Sequence, residues 1–205
     1  MEKPRNTKCD ESRAEARRQQ ILDAAGQCFR EHGFHSASMQ LIARTAGMSV
    51  GHIYHYFENK EAIIAAIVAA DEAISRTRFE GFRREPEVFR AMIDQADKGL
   101  DRCLDIDRSA LLMEIVAESG RNPRIAEIVH ATDRGLRQQL EDLMDRVHGE
   151  RHPGEAVDPR QRAAQVALIS VVFDGLRMRS IRQPDLDRDA VLELLRPLLQ
   201  RILEG

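Results

Sequence analysis

"SMQLIARTAGMSVGHIYHYFENKEAI", residues 38–63, contains two helix-length segments on either side of a single glycine, Gly47. A serine precedes each segment and suits the N-cap position, where its hydroxyl accepts a hydrogen bond from a free backbone N–H. Gly47 suits the positive φ of a tight turn. The pattern predicts a helix over 39–46, a three-residue turn and a second helix over 50–56, which is the helix-turn-helix arrangement of DNA-binding proteins.

The second predicted helix is rich in aromatic residues, although aromatic residues make up only 4% of the chain and Trp is absent. Ile53 and Phe57 lie one turn apart and are expected to face the core. Tyr54 and Tyr56 can then reach phosphate oxygens, and Lys60 places a cation at the electropositive start of the next helix. The alternative is that the two tyrosines are half-buried core residues. The pattern favours a helix that enters the major groove of double-stranded DNA.

The rest of the chain also predicts helices, because it lacks alternating strand patterns and hairpin turns. A helix over 13–31 precedes the quoted segment and ends near Gly33, which suits a C-terminal cap. Further helices are predicted from residue 59 and over 87–104, 109–119, 123–148, 159–181 and 187–203. The predicted fold class is all-α. It comprises a flexible arm (1–12), an N-terminal helix-turn-helix DNA-binding domain (13–62) and a larger helical ligand-binding and dimerisation domain (63–205).

The segment "IARTAGMSVGHIYHYFENKEAI" resembles the signature of the TetR family of bacterial transcriptional repressors. The preceding "ILDAAGQCFREHGF" resembles the first helix of that family, and "LLMEIVAESGRNPRIAEI" and "VFDGLRMRS" are similar to a common subtype of its regulatory domain. The resemblance implies a homodimeric repressor that binds a palindromic operator and is released by a small effector. His52 stands where the family often has Thr or Ser. The resemblance implies that these residues face DNA: Gln40, Arg44, Ser49, Val50, Gly51, His52, Tyr54, His55, Tyr56 and Lys60.

Apolar residues in the last two predicted helices spread over more surface than one chain's core easily covers. Two copies of such a helix pair can form a four-helix bundle, and Pro197 is expected to kink the last helix. The residues predicted to form this dimer interface are Val166, Ile169, Val172, Leu176, Leu194 and Leu198.

A small-molecule pocket is predicted between residues 79 and 176, where methionines and phenylalanines recur at helical spacing. Because no clear buried charge stands out in this stretch, a lipophilic effector is favoured over a metal ion or a sugar. Such residues also form ordinary cores, which is the alternative interpretation. The residues predicted to line the pocket are Phe82, Phe89, Met92, Met113 and Phe173.

The bulk composition excludes several classes of protein. The net charge is -3, with a mild positive excess in the first 60 residues, so charge alone does not predict a nucleic-acid partner. No apolar run is long enough to span a bilayer and no signal peptide is evident, which predicts a cytoplasmic protein without a membrane partner. The three cysteines are widely spaced and suit neither a disulfide framework nor a zinc site.

No catalytic constellation stands out, so neither an enzyme nor a cofactor is predicted. Two histidine pairs, His52 with His55 and His148 with His152, each have the spacing of half a metal site but lack a convincing third ligand. Two alternatives to an effector-responsive repressor therefore remain. One is a DNA-binding protein of the same fold without an effector, and the other is a helical metal-dependent enzyme.

Overall fold

A computed structural model describes the backbone of residues 7–205 and the side chains from Ser12 onward. All regular secondary structure in this part of the chain is helical, which confirms the all-α prediction. The helices are α1 (Thr7–Ser36), α2 (Met39–Thr45), α3 (Val50–Tyr56), α4 (Lys60–Arg84), α5 (Val88–Asp94), α6 (Ala96–Leu104), α7 (Ile106–Ser119), α8 (Pro123–Arg151), α9 (Pro159–Arg182) and α10 (Arg188–Glu204). None of them is long and apolar enough to cross a membrane.

Several boundaries differ from the predicted ones. The first half of the predicted arm over 1–12 lies outside the described residues, and α1 already begins at Thr7. The single helix predicted over 87–104 is two helices, α5 and α6, separated at Gln95 with φ −96° and ψ 18°. Neither Gly nor Pro marks that break, so the sequence carries no local signal for it. Helix α10 runs on through Pro197 to Glu204.

The chain forms two compact units. The first comprises the described residues up to Ala69 together with Glu114–Ile128, and the second comprises Ala70–Met113 and Val129–Gly205. The domain boundary predicted at residue 62 falls instead within continuous helix α4. Residues 114–128, which the sequence assigned to the regulatory domain, thus belong to the same unit as the helix-turn-helix.

The first unit is built around an apolar core that fixes the orientation of α3. Ile53 and Phe57 are both buried, as their spacing predicts. Full burial of a side chain of this size stabilises the fold by about 1.5 to 3 kcal/mol. The other large residues of this core include Ile21, Phe29, Ile42, Ile63, Ile64 and Ile125.

The second unit has its own core, contributed by α4, α5, α6, α8, α9 and α10. Val166 and Ile169, which the sequence placed at a dimer interface, are buried in this core. The apolar pattern of α9 could not distinguish the face that packs within one chain from the face left outside. The remaining fully buried members include Phe82, Val88, Leu100, Leu143, Val147, Leu195, Leu199 and Leu203.

Candidate nucleic-acid interface

Helices α2 and α3 are both capped by the predicted serines. The Ser38 hydroxyl accepts a hydrogen bond from the backbone N–H of Leu41 at 3.1 Å, and the Ser49 hydroxyl accepts one from His52 at 3.2 Å. Between the two helices Gly47 has a φ of 65°, in the left-handed region that favours glycine. The observed geometry is therefore a helix-turn-helix with α3 as its second helix.

Two side-chain contacts attach this motif to α1. The amide of Gln20 donates to the carbonyl of Ala46 at 2.7 Å, where α2 ends. The thiol of Cys28 lies 3.3 Å from the hydroxyl of Thr45. These contacts satisfy polar groups at the C-terminal end of α2, which lack partners within the helix. These contacts with α1 thus fix the position of the turn that sets the direction of α3.

All ten residues that the resemblance assigns to DNA are at least partly exposed in the structure. Tyr54 is 53% exposed, so its hydroxyl is free to donate outward. Tyr56 is half-buried, and its ring centroid lies 5.4 Å from those of both His52 and His55, which support it edge-on. The exposed members are Gln40, Arg44, Ser49, Gly51, His52, Tyr54 and His55, and the others are half-buried. None of the ten carries a carboxylate that would repel phosphate.

Lys60 is already bound within its own chain. Its ammonium donates to the carbonyl of Phe34 and, at 3.3 Å, to that of His35, and it lies 4.2 Å above the centre of the Phe34 ring. Burial lowers the pKa of Lys60, while Glu61 and Glu118 act to raise it. The cation that the sequence assigned to DNA phosphate therefore fastens the start of α4 to the end of α1.

Two glutamates of α7 complete this junction inside the first unit. The backbone N–H of Phe34 donates to the Glu114 carboxylate at 3.0 Å. Glu118 is only 1% exposed, and its Oε2 atom lies 3.0 Å from Arg121 and 3.3 Å from the His35 imidazole. Arg121 is three residues away in the sequence, whereas His35 belongs to α1, so only the packing of α1 against α7 explains why Glu118 is buried.

Gly33 is the backbone position on which this junction depends. Its φ is 72°, and an added Cβ would lie 3.3 Å from the Glu114 carboxylate. We expect Gly33→Ala to lower the free energy of unfolding by about 1 to 2 kcal/mol, because a side chain is strained at positive φ. Gly81→Ala is the matched control, since nothing lies within 4 Å of an added methyl there. Urea unfolding of both variants measures the difference, and equal stabilities would contradict this account.

Two known protein families match this chain, one in its N-terminal part and one in its C-terminal part. Residues 21–67 match the model of bacterial regulatory proteins of the tetR family. Residues 101–204 match the C-terminal domain of BetI-type transcriptional repressors. The chain belongs to the TetR family. It is therefore a DNA-binding transcriptional regulator, as the signature around Gly47 predicts.

Individual TetR-family relatives match over almost the whole chain. The transcriptional regulator UidR of Escherichia coli strain K12 is 30% identical over 88% of this chain and 89% of its own length. The transcriptional repressor Rv1474c of Mycobacterium tuberculosis is 32% identical over 95% and 98%. Among solved structures, Salmonella enterica GusR is similar with a TM-score of 0.74 and 30% identity, covering 93% of this chain and 96% of GusR. Bacillus subtilis FadR, solved with stearoyl-CoA, shares the fold with a TM-score of 0.73, covering 88% and 96%, at 20% identity.

The second unit of this TetR-family chain contains a cavity of about 180 Å³. Of the five residues assigned to a ligand pocket, Phe82, Met92 and Phe173 line this cavity, whereas Phe89 and Met113 do not. Phe89 instead packs under the Arg151 guanidinium, 4.5 Å from the ring centre. Charged side chains also contribute to the lining, of which Arg78, Arg102 and Arg177 are half-buried and the others exposed. Four arginines and two aspartates also line the cavity: Arg78, Arg102, Arg137, Arg177, Asp133 and Asp174.

The outer faces of α9 and α10 carry exposed apolar side chains. Leu194 is 74% exposed and Leu198 45%, while Val172 and Leu176, also predicted at the interface, are half-buried. Three further exposed apolar residues lie on α9 outside the set predicted for the interface, and they are Leu168, Val171 and Met178. Together with Leu194 and Leu198, these three define the α9/α10 apolar face.

The histidine pairs find no further ligands. The rings of His148 and His152 lie 5.1 Å apart. Among the side chains from Ser12 onward, however, no group of three or more His, Cys, Asp or Glu residues is placed to hold a metal ion. These described side chains therefore offer no candidate metal site for the alternative of a helical metal-dependent enzyme.

Proposed function

We propose that the protein is a homodimeric repressor that binds a palindromic operator through α3, and that a small molecule bound in the second unit releases the DNA. The observation that carries this proposal is the donor-rich, carboxylate-free exposed face of α3 on a fully capped helix-turn-helix. In this arrangement the second helix enters the major groove, while neighbouring groups contact phosphates.

Sequence discrimination would come from α2 and from the start of α3. Gln40 and Arg44 are exposed side chains suited to bidentate contact with adenine and guanine, respectively. At Gly51 an added Cβ would meet nothing within 4 Å, so the backbone of α3 is open to close approach by base edges. Tyr54, Tyr56 and the two histidines would then contact phosphates and position the helix.

Footprinting of the purified protein on DNA fragments selected from a random library tests the proposed DNA recognition. We expect two protected half-sites related by a dyad, about 10 base pairs apart centre to centre or a multiple of that distance. Protection without a dyad would contradict dimeric recognition, and binding without sequence preference would contradict the operator-specific role.

Two substitutions separate base recognition from phosphate contact. Gln40→Ala should relax the preference at one base pair per half-site by about 1 to 3 kcal/mol, because one bidentate contact is lost. Tyr54→Phe should weaken binding to every sequence to a similar degree, because a phosphate contact carries no sequence information. Fluorescence anisotropy on the selected operator and its single-base variants distinguishes the two patterns. A Tyr54→Phe effect confined to one base pair would contradict this assignment.

The α9/α10 apolar face is the proposed dimer interface. Two stripes of exposed leucine, valine and methionine on adjacent helices can pair with the same surface of a second copy around a two-fold axis. The product is a four-helix bundle of two helices from each protomer. Val166 and Ile169 would support this bundle from within each protomer's core.

The cavity in the second unit favours an effector-responsive repressor over an effector-free one. The structure of Bacillus subtilis FadR with stearoyl-CoA supports this choice, because a protein of this fold takes up a small molecule. A ligand can loosen DNA only by binding more tightly to a state in which the recognition helices no longer match the operator. Helices α4, α7 and α8 each continue from one unit into the other and would transmit such a change.

A further inference from the structure

Arg78 of α4 projects into the cavity of the second unit without an acidic partner. Its guanidinium lies 5.4 Å from the centre of the Phe82 ring and against the backbone of Gly99. The buried Nε atom has no hydrogen-bond partner. Neither an ion pair nor a hydrogen bond joins Arg78 to any of the described residues. Burying a guanidinium without an ion pair or full hydrogen bonding costs free energy, unless a bound anion supplies the missing partner.

Two other arginines bring further positive charge to the same cavity. Arg102 donates to Asp71 at 3.0 Å, but Asp71 is shared with Arg108, which binds both of its oxygens at 2.7 Å. Arg177 donates to Asp174 at 2.6 Å, and its own buried Nε atom has no partner.

The remaining charged groups around Arg78 are one nearby carboxylate and one ion pair. Asp97 is near enough to act electrostatically on Arg78, but it makes no hydrogen bond to it. The other charged pair in the cavity lining, Asp133 with Arg137, is already mutually bound. Burial lowers the pKa of Arg78, and Arg102 and Arg177 lower it further. The guanidinium nevertheless stays charged in a protein, so the cavity wall keeps a net positive region.

Apart from Ser75, Ser170 and Gly99, the rest of the cavity lining is apolar. It includes Phe79, Phe82, Met92, Leu140, Phe173 and Leu199. A closed apolar cavity of about 150 Å³ accommodates benzene, so the observed volume of about 180 Å³ suits one aromatic ring or a short alkyl chain. A cationic group therefore faces the same cavity as a phenylalanine-rich wall.

We propose that this cavity binds an amphipathic organic carboxylate, with the carboxylate held by Arg78 and Arg177 and the apolar part packed among Phe79, Phe82 and Phe173. The planar fork of a guanidinium matches a carboxylate in a bidentate geometry. This inference rests on the proposed function, since it gives the chemical class of the effector at the same site. It replaces the neutral lipophilic effector that the sequence favoured.

Calorimetric titration of the full chain with two matched pairs of compounds tests the proposal: 4-phenylbutyrate with 4-phenylbutyramide, and octanoate with octanamide. Each amide keeps the shape of its acid but lacks the charge. At equal ionic strength we expect the acids to bind about ten- to a hundredfold more tightly than the amides, which is the effect of a charge-assisted hydrogen bond.

Substitutions at the cavity locate the carboxylate contact. Arg78→Met should lower the affinity for both acids by about ten- to a hundredfold and leave the affinity for the amides unchanged. Arg84→Met is the matched control, because Arg84 is an exposed residue of the same helix outside the cavity lining. Arg78→Lys keeps the charge without the fork and should give an intermediate affinity.

Gly99→Ala provides a second test that leaves every charge in place. An added Cβ would lie 2.8 Å from both an Arg78 nitrogen and a Phe173 ring carbon, so both side chains must shift. We expect this variant to lose most of the acid affinity, whereas Gly175→Ala, where nothing lies within 4 Å of an added Cβ, should retain it. This variant also decides the question if Arg78→Met fails to fold.

Three results would overturn the proposal: no binding of either acid, equal binding of acids and amides, or undiminished acid binding by both Arg78→Met and Gly99→Ala. Operator affinity measured with and without 4-phenylbutyrate separates this inference from the proposed function. Failure of acid binding with intact operator recognition rejects only the ligand class. Acid binding that leaves operator affinity unchanged rejects the effector role and retains the site.

Discussion

Operator affinity is expected to fall by about 10³- to 10⁵-fold as the salt concentration rises from roughly 50 to 200 mM, if the dimer contacts about six to ten phosphates. Each neutralised phosphate releases condensed counterions, and added salt opposes that release. The exposed donors of α2 and α3, including Arg44, Tyr54 and the two histidines, are the proposed contacting surface in each protomer. Anisotropy titrations with a labelled operator at five or six salt concentrations give the slope, and a flat dependence would contradict the proposed interface.

A pair of substitutions makes this prediction sharper. Arg44→Met should weaken operator binding and relax the preference at one base pair per half-site, because Arg44 is proposed to contact guanine. Lys60→Met should leave the slope nearly unchanged, because the Lys60 ammonium already binds the carbonyls of Phe34 and His35. The Lys60→Met substitution should instead lower the free energy of unfolding. A salt slope reduced by about two per dimer in Lys60→Met would show instead that Lys60 contacts phosphate, because each lost phosphate contact contributes about 0.9 and each protomer would lose one.

Val171→Asp is expected to convert the dimer into monomers and to lower operator affinity by about 10²- to 10⁴-fold. Val171 belongs to the α9/α10 apolar face and is 65% exposed, so an aspartate there would bury an unpaired charge in the proposed bundle. A monomer binds only one half-site. It therefore loses the gain in affinity that a dimer has, because the second subunit of a bound dimer is held at a high effective concentration near the second half-site. Light scattering coupled to gel filtration measures the mass, and anisotropy measures the affinity.

Ile74→Asp is the matched control for this experiment. Ile74 is 53% exposed on α4 and lies outside the α9/α10 apolar face, so a charge there should leave mass and affinity unchanged. Circular dichroism of both variants confirms that each remains helical. A Val171→Asp protein that stays dimeric would move the interface to another surface.

The DNA-binding motif could be predicted from the sequence because its signals are local. A serine hydroxyl caps the helix that immediately follows it, and Gly47 adopts its positive φ within a turn of three residues. The burial of Ile53 and Phe57 likewise follows from their spacing on one helix. Each of these features depends on neighbours within a few positions, which a single sequence displays.

The cavity could not be predicted in the same way. Arg78 belongs to a helix with many charged residues and resembles an ordinary solvated side chain in the sequence. Its neighbours Arg102 and Arg177 come from α6 and α9, so only the packing of the second unit brings the three together. Similarly, the hydropathy of α9 shows that it is apolar on several sides, but not that Val166 faces inward and Val171 outward.

The participation of Glu114 and Glu118 in the first unit has a consequence for protein engineering. A fragment cut after Ala69 would lack the carboxylate that accepts the Phe34 N–H and the buried acid beside His35. A chimera that joins the segment up to Ala69 to the regulatory domain of another regulator would lack the same contacts. The α7 of the other regulator would have to supply both Glu114 and Glu118. The natural unit of exchange is therefore discontinuous, and a functional hybrid needs residues 114–128 transplanted along with the N-terminal segment.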